Sequence, residues 1–193
     1  MVDGKYSTQV YLDFFSKTFA DYKKQKKLET KDFDAIIYHL PFTKMGLKAN
    51  RPAVADQDEA TTEKLQNSFD ASKQLSRRAG NIYTASLYMS LLSLLENGNL
   101  PAGALVGLFS YGSGAMGEFY SGNLVEGYEK EVNAAGDEKM LKRRQKVSVP
   151  EYEEIFNTAL DDPEDNEELT SDDEKGTRYF AGTKGNIRQY KVK

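Results

Sequence analysis

Residues 83–96 are apolar or small at every position before the final Glu96, and they constrain the fold more than any other part of the chain. Tyr83, Leu87, Tyr88, Leu91, Leu92, Leu94 and Leu95 would wrap most of a helix, and Ala85, Ser86, Ser90 and Ser93 fill the remaining positions. A helix without a wide polar face belongs inside a layered fold, covered on most sides. Asn97-Gly98-Asn99-Leu100-Pro101-Ala102-Gly103 breaks it, because Gly and Pro interrupt helical backbone. Ala104-Leu105-Val106-Gly107-Leu108-Phe109-Ser110-Tyr111 then reads as a central strand. Gly112-Ser113-Gly114 forms a tight turn, and residues 115–125 pair back as a second strand.

The first third of the chain repeats this alternation. Ser7 is a plausible N-cap for a helix over 8–27, whose wide apolar face carries Val10, Tyr11, Phe14, Phe15, Thr18 and Phe19. Lys23, Lys24, Lys26 and Lys27 suit its C-terminal end. Phe33-Asp34-Ala35-Ile36-Ile37-Tyr38 reads as a short buried strand. Pro41 holds Leu40 extended and starts a second helix. Residues 56–78 look helical, with Leu65, Phe69, Ser72 and Leu75 on one stripe. Ser148-Val149-Pro150-Glu151 has the form of a capping box opening a helix over 149–159. Two strand patterns flank Gly182 and Gly185. Strands alternating with helices give an α/β class, and 193 residues make one domain the default.

Composition excludes several chemistries. The chain has no Cys and one His, so it holds no disulfide, no Cys-ligated zinc, no thiol nucleophile and no multi-histidine metal site. Residues 151–175 carry 12 acidic side chains and one Lys, while the rest of the chain is modestly basic. That asymmetry fits either a solvated surface or an anionic ligand. No apolar run approaches the ~20 residues that span a bilayer. The N-terminus lacks a signal-peptide apolar region, and the expected setting is soluble and cytoplasmic, with no nucleic-acid partner.

Seven residues come into question for a site. His39 lies at the carboxyl end of a strand and just before a helix, where ligands collect in α/β folds. It reads either as a hydrogen-bonding imidazole in a cleft or as a satisfied His pinning the turn. Lys44 and Lys48 are four apart, so they share a helix face, either as an anion contact or as solvated lysines. Asn81 either caps the apolar helix or offers its amide to a substrate carbonyl. Ser113, between two glycines, sits in a plain hairpin turn or in one whose N–H groups meet a ligand. The turn is no phosphate-binding loop, since Gly-Lys-Ser/Thr is absent. Glu118 and Glu126 are placed on one face of the second hairpin strand, as a solvated face or a carboxylate pair.

Three segments share a family pattern. They are Tyr38-His39-Leu40-Pro41-Phe42-Thr43-Lys44-Met45-Gly46, Gly80-Asn81-Ile82-Tyr83-Thr84-Ala85-Ser86-Leu87-Tyr88 and Gly107-Leu108-Phe109-Ser110-Tyr111-Gly112-Ser113-Gly114. In order and spacing they resemble the C-terminal half of hydroxymethylglutaryl-CoA synthases of the bacterial mevalonate-pathway form. The likeness covers nearly all of residues 1–193 and is weakest after about residue 150. It implies a thiolase-like fold of two similar halves, this chain being the second. It implies an enzyme of isoprenoid synthesis that condenses acetyl-CoA with acetoacetyl-CoA, using these two CoA thioesters as substrates and no cofactor. In such enzymes a Cys nucleophile and a Glu acid/base lie in the first half, so this chain alone is expected to be inactive. The resemblance implies that His39 is the catalytic His, that Lys44 and Lys48 contact CoA phosphates, that Asn81 binds the acyl portion and that Ser113 lies at the substrate. It implies the N-terminal half of the same protein as partner and a homodimer when intact. Two other readings stay open: a non-catalytic CoA-binding or interaction module, and another thiolase-superfamily condensing enzyme.

Overall fold

A computed structural model describes residues 4–112, 114, 116–157, 176–185 and 187–193. It divides into two compact units, Met1–Arg143 and Arg144–Lys193.

The first unit is built on a three-stranded sheet in the order β1-β2-β3. β1 (Ala35–Tyr38) pairs parallel with β2 (Leu105–Gly112), and β2 pairs antiparallel with β3 (Met116–Asn123). Parallel neighbours require a crossover. Four helices supply it: α2 (Thr43–Val54), α3 (Glu59–Ser72), α4 (Gln74–Ala79) and α5 (Ala85–Asn97). α1 (Gly4–Lys26) precedes β1, and α6 (Ala134–Lys142) follows β3.

Strand alternation splits the core into two layers. On one face Ile36, Tyr38, Phe109 and Phe119 join Tyr11, Phe15 and Phe19 of α1, Met45, Ala49 and Val54 of α2, and Leu65 and Phe69 of α3. On the other, Ala35, Ile37, Val106 and Leu108 pack with Leu87 and Leu94 of α5. The helix–sheet–helix layering is the α/β class read from the sequence. The aromatic layer needs Gly107, because a Cβ there would stand 2.6 Å from the Phe119 ring and 3.1 Å from Phe33.

The chain corrects several expected boundaries. α1 starts at Gly4, so Ser7 lies inside it rather than capping it. Pro41 precedes α2, whose N-cap is Phe42. Residues 56–78 form two helices, separated at Lys73. The cause lies on α5. The Ser93 hydroxyl donates to the Ala71 carbonyl at 2.6 Å and accepts from the Leu75 N–H at 3.2 Å. Those two backbone groups would otherwise bond each other one helical turn apart, so the inserted hydroxyl opens the helix. β3 ends at Asn123, which leaves Glu126 off the strand and dissolves its expected pairing with Glu118. α6 carries no buried residue and has no counterpart in the sequence reading.

In the second unit, α7 (Val149–Asn157) opens on the expected capping box. The Ser148 N–H donates to Glu151 at 2.6 Å, and the Glu151 N–H donates to Ser148 Oγ at 3.4 Å. β4 (Arg178–Lys184) and β5 (Ile187–Val192) form an antiparallel hairpin, with a register shift beside Gly182. Of the acidic segment, only 151–157 lies within the described residues.

Candidate active site

The site residues gather at the carboxyl edge of the sheet. β1 and β2 run in parallel, so both end there, and β3 starts there because it pairs antiparallel with β2. His39 directly follows β1, and α2 begins four residues later. α5 ends just before the loop into β2 while packing along the sheet, so its first turn, preceded by Asn81, lies toward the same edge. The starts of α2, α5 and β3 therefore lie toward the sheet edge that carries His39, as the topology of open α/β sheets favours.

His39 is 9% exposed. Its N–H donates to the Phe109 carbonyl at 2.8 Å, and its own carbonyl accepts from the Tyr11 hydroxyl at 2.9 Å. The backbone is thus held on both sides. Neither ring nitrogen has a hydrogen-bond partner among the described residues. Burial pushes the imidazole below its ordinary value of 6.5. The ring is therefore neutral at pH 7, with one N–H to donate and one nitrogen to accept. A satisfied His pinning the turn does not describe this residue: its backbone does the pinning and its ring is left free.

Lys44 and Lys48 are exposed on one face of α2, one turn apart, and neither forms an ion pair among the described residues. The first turn of α2 contains no acidic residue, and Phe42 gives it no side-chain cap. An uncapped N-terminus beside two unpaired ammonium groups favours an anion.

Asn81 does not cap α5, whose N-cap is Thr84, but bonds the turn just before it. Its Oδ1 accepts from the Tyr83 N–H and from the Ser86 hydroxyl, both at 2.9 Å. Ser86 Oγ in turn accepts from the Ile82 N–H at 2.9 Å. This network organises the start of α5 and holds Tyr83 at a φ of 54°, a left-handed conformation unusual for Tyr. The Asn81 amide nitrogen has no acceptor among the described residues, so its two N–H donors remain available. Ser113 lies outside the described residues. No hydrogen bond links His39, Lys44, Lys48 and Asn81 to one another.

Tyr11 at this edge was read from the sequence only as a core position. Its i, i+4 spacing to Phe15 and Phe19 marks burial. Nothing in that spacing reveals a partner 28 residues away. Apolar side chains also crowd the rim: Phe42, Ile82, Tyr83 and Met116 are all exposed. Among the described residues no group of three or more His, Cys, Asp or Glu could hold a metal ion, and no helix is long and apolar enough to cross a membrane.

Residues 48–182 match the family model described as hydroxymethylglutaryl-coenzyme A synthase C terminal. The chain belongs to the hydroxymethylglutaryl-CoA synthase family. A hydroxymethylglutaryl-CoA synthase of Enterococcus faecalis is 44% identical over 162 residues, covering 83% of this chain and 42% of that protein. A polyketide-biosynthesis 3-hydroxy-3-methylglutaryl-ACP synthase of Bacillus subtilis is 32% identical over 160 residues, covering 80% of this chain and 38% of that one. A crystal structure of an HMG-CoA synthase complexed with CoA matches with a TM-score of 0.87 at 38% identity, covering 100% of this chain and 50% of that one. The α/β fold is accordingly thiolase-like. The chain spans about half the length of the family members it matches.

Proposed function

We propose that this chain is the C-terminal part of an acyltransferase that condenses acetyl-CoA with acetoacetyl-CoA to hydroxymethylglutaryl-CoA, in isoprenoid synthesis. The observation that carries the reading is His39: a buried, neutral imidazole with a fixed backbone and both ring nitrogens unclaimed. Such a group donates a hydrogen bond to the acetoacetyl carbonyl and polarises it without adding a full charge. Lys44, Lys48 and the uncapped start of α2 hold the CoA phosphates, and the free Asn81 amide holds the acyl carbonyl. The turn containing Ser113 completes the acyl side.

The nucleophile is supplied from elsewhere, because covalent acyl transfer of this kind uses a thiolate and the chain has no Cys. We assign the Cys and the Glu acid/base to an N-terminal half of the same protein, within a cytoplasmic homodimer. The exposed apolar rim formed by Phe42, Ile82, Tyr83 and Met116 supports a covering partner at this edge.

Titrating acetoacetyl-CoA into this chain, beside the assembled two-half protein, tests the reading. Replacing Lys44 and Lys48 together by Ala should weaken binding about tenfold and flatten its salt dependence. Unchanged affinity in the double variant would remove the lysine face from the site. A second reading, in which the acyl group arrives on a carrier protein, draws support from the 32% identity to the ACP-linked synthase. The assembled protein should prefer acetoacetyl-CoA over acetoacetyl-ACP if the first reading holds, and the reverse if the second does.

A further inference from the structure

We propose that Tyr11 is the positioning residue for His39, acting through the His39 main-chain carbonyl. The proposal rests on the reading of His39 as the substrate-polarising group. The register of β1 with β2 ends at Tyr38 opposite Phe109, and the His39 N–H to Phe109 carbonyl bond at 2.8 Å is the rung that follows. Beyond it the chain turns away through Leu40 and Pro41, and Pro41 has no N–H to contribute. At this point of the backbone the Tyr11 hydroxyl reaches in from α1 and donates to the His39 carbonyl at 2.9 Å.

Tyr11 is well suited to hold a fixed point. It is fully buried, and its ring stands edge-on to Phe109 and to Tyr111, each with centroids 5.1 Å apart. Phe109 is the residue that receives the His39 N–H. The two bonds that fix His39 therefore converge on one aromatic contact, so α1, β1 and β2 lock together at the strand end. Burial, with smaller contributions from Tyr38 and Tyr111, pushes the Tyr11 phenol well above its ordinary value. It remains a neutral donor throughout the working pH range. A residue held by its N–H from β2 and by its carbonyl from α1 has a fixed main chain, which limits the directions its ring can take.

The chain has one His, so its imidazole resonances can be followed by NMR without ambiguity. In the unaltered chain the His39 titration midpoint should lie below the ordinary imidazole value. Tyr11→Phe keeps the ring stack and deletes the hydroxyl. It should move the midpoint up toward the ordinary value and shift the ring resonances. Tyr38→Phe is the control, because it deletes another buried hydroxyl of the same layer, one that donates to Asn50 Oδ1 at 3.1 Å and does not touch His39. It should leave the His39 titration in place. An unchanged midpoint in Tyr11→Phe overturns the proposal, and so does an equal shift in Tyr38→Phe, which would signal general loosening. Should Tyr11→Phe not fold, 3-fluorotyrosine at position 11 alters the donor and keeps the contact, and an unmoved His39 resonance there overturns the proposal equally. None of these readings depends on CoA binding, so failure of the proposed function and failure of the positioning role give separate results.

Discussion

At the scale of single residues, the site depends on which polar atoms are already taken. His39 has its backbone bonded twice and its ring left open, while Asn81 has its oxygen engaged and its nitrogen free. An imidazole that polarises the acetoacetyl carbonyl contributes to the condensation step and not to the earlier transfer of acetyl to the nucleophile. In the assembled protein, His39→Ala should therefore slow condensation by about 10²–10³-fold and leave acetylation of the nucleophile near its original rate. Rapid-quench measurement of the two steps checks this, and an equal loss in both would count against a polarising role. The position of His39 was legible because an apolar strand, a His and a Pro follow one another in sequence, which fixes the His at a strand end. The use of Tyr11 was not legible, because a hydroxyl's partner across 28 residues leaves no periodic trace. The sequence left Asn81 open as a cap of α5 or a substrate contact; the N-cap is Thr84, and the Asn81 oxygen instead organises the turn that precedes the helix.

At the scale of elements, the break between α3 and α4 shows where local reading stops. Of the stripe Leu65, Phe69, Ser72 and Leu75, the first three are buried and Leu75, beyond the break, is half-buried. The interruption comes from Ser93, about twenty residues downstream, whose hydroxyl replaces a helical bond between Ala71 and Leu75. Ser93→Ala would leave a buried carbonyl and an N–H without partners, unless the two helices fuse. It should cost about 1–3 kcal/mol in chemical denaturation. Ser90→Ala, which removes a hydroxyl bonded only to the Ser86 carbonyl within α5, should cost less. α5 carries another buried oxygen near its end. Glu96 on α5 has Oε1 buried without a donor, and the Asp137 carboxyl of α6 lies within hydrogen-bonding reach. Burial first, then Asp137, pushes Glu96 from 4.5 to about 7, with Arg78 opposing and Glu138 adding to the shift. The proton that Glu96 keeps can be donated toward the Asp137 carboxyl. Between pH 4.5 and about 7 the folded chain keeps a proton that the unfolded chain has released. Stability from this group is complete below that window and falls as pH rises through it. Glu96→Gln carries a permanent amide donor, so its thermal midpoint should decline less across the same range than that of the unaltered chain.

At the scale of the whole molecule, the proposed function gives substrate orientation to the three-layered unit and covalent chemistry to another polypeptide segment. The layers were legible because helix and strand periods alternate cleanly up to β3, and the aromatic layer over Gly107 follows from that alternation. Beyond β3 the signals weaken. α6 buries nothing that would give it a period, and the division into two units at Arg144 has no Pro- or Gly-rich linker to mark it. The chain matches about half the length of its relatives, and the proposed role of the remaining half is specific: it provides the thiolate. Acetyl transfer to a protein thiol leaves a stable mass increment that does not depend on later steps. Incubated alone with acetyl-CoA, this chain should acquire no active-site acetyl adduct by intact-mass measurement, and with acetoacetyl-CoA added it should form no hydroxymethylglutaryl-CoA. After mixing with a Cys- and Glu-bearing N-terminal half of a family member, the adduct should appear on that half, and condensation should then depend on His39. An adduct on this chain, or turnover without the second half, would mean that another side chain here serves as nucleophile, and the division of labour argued from the absent Cys would fail.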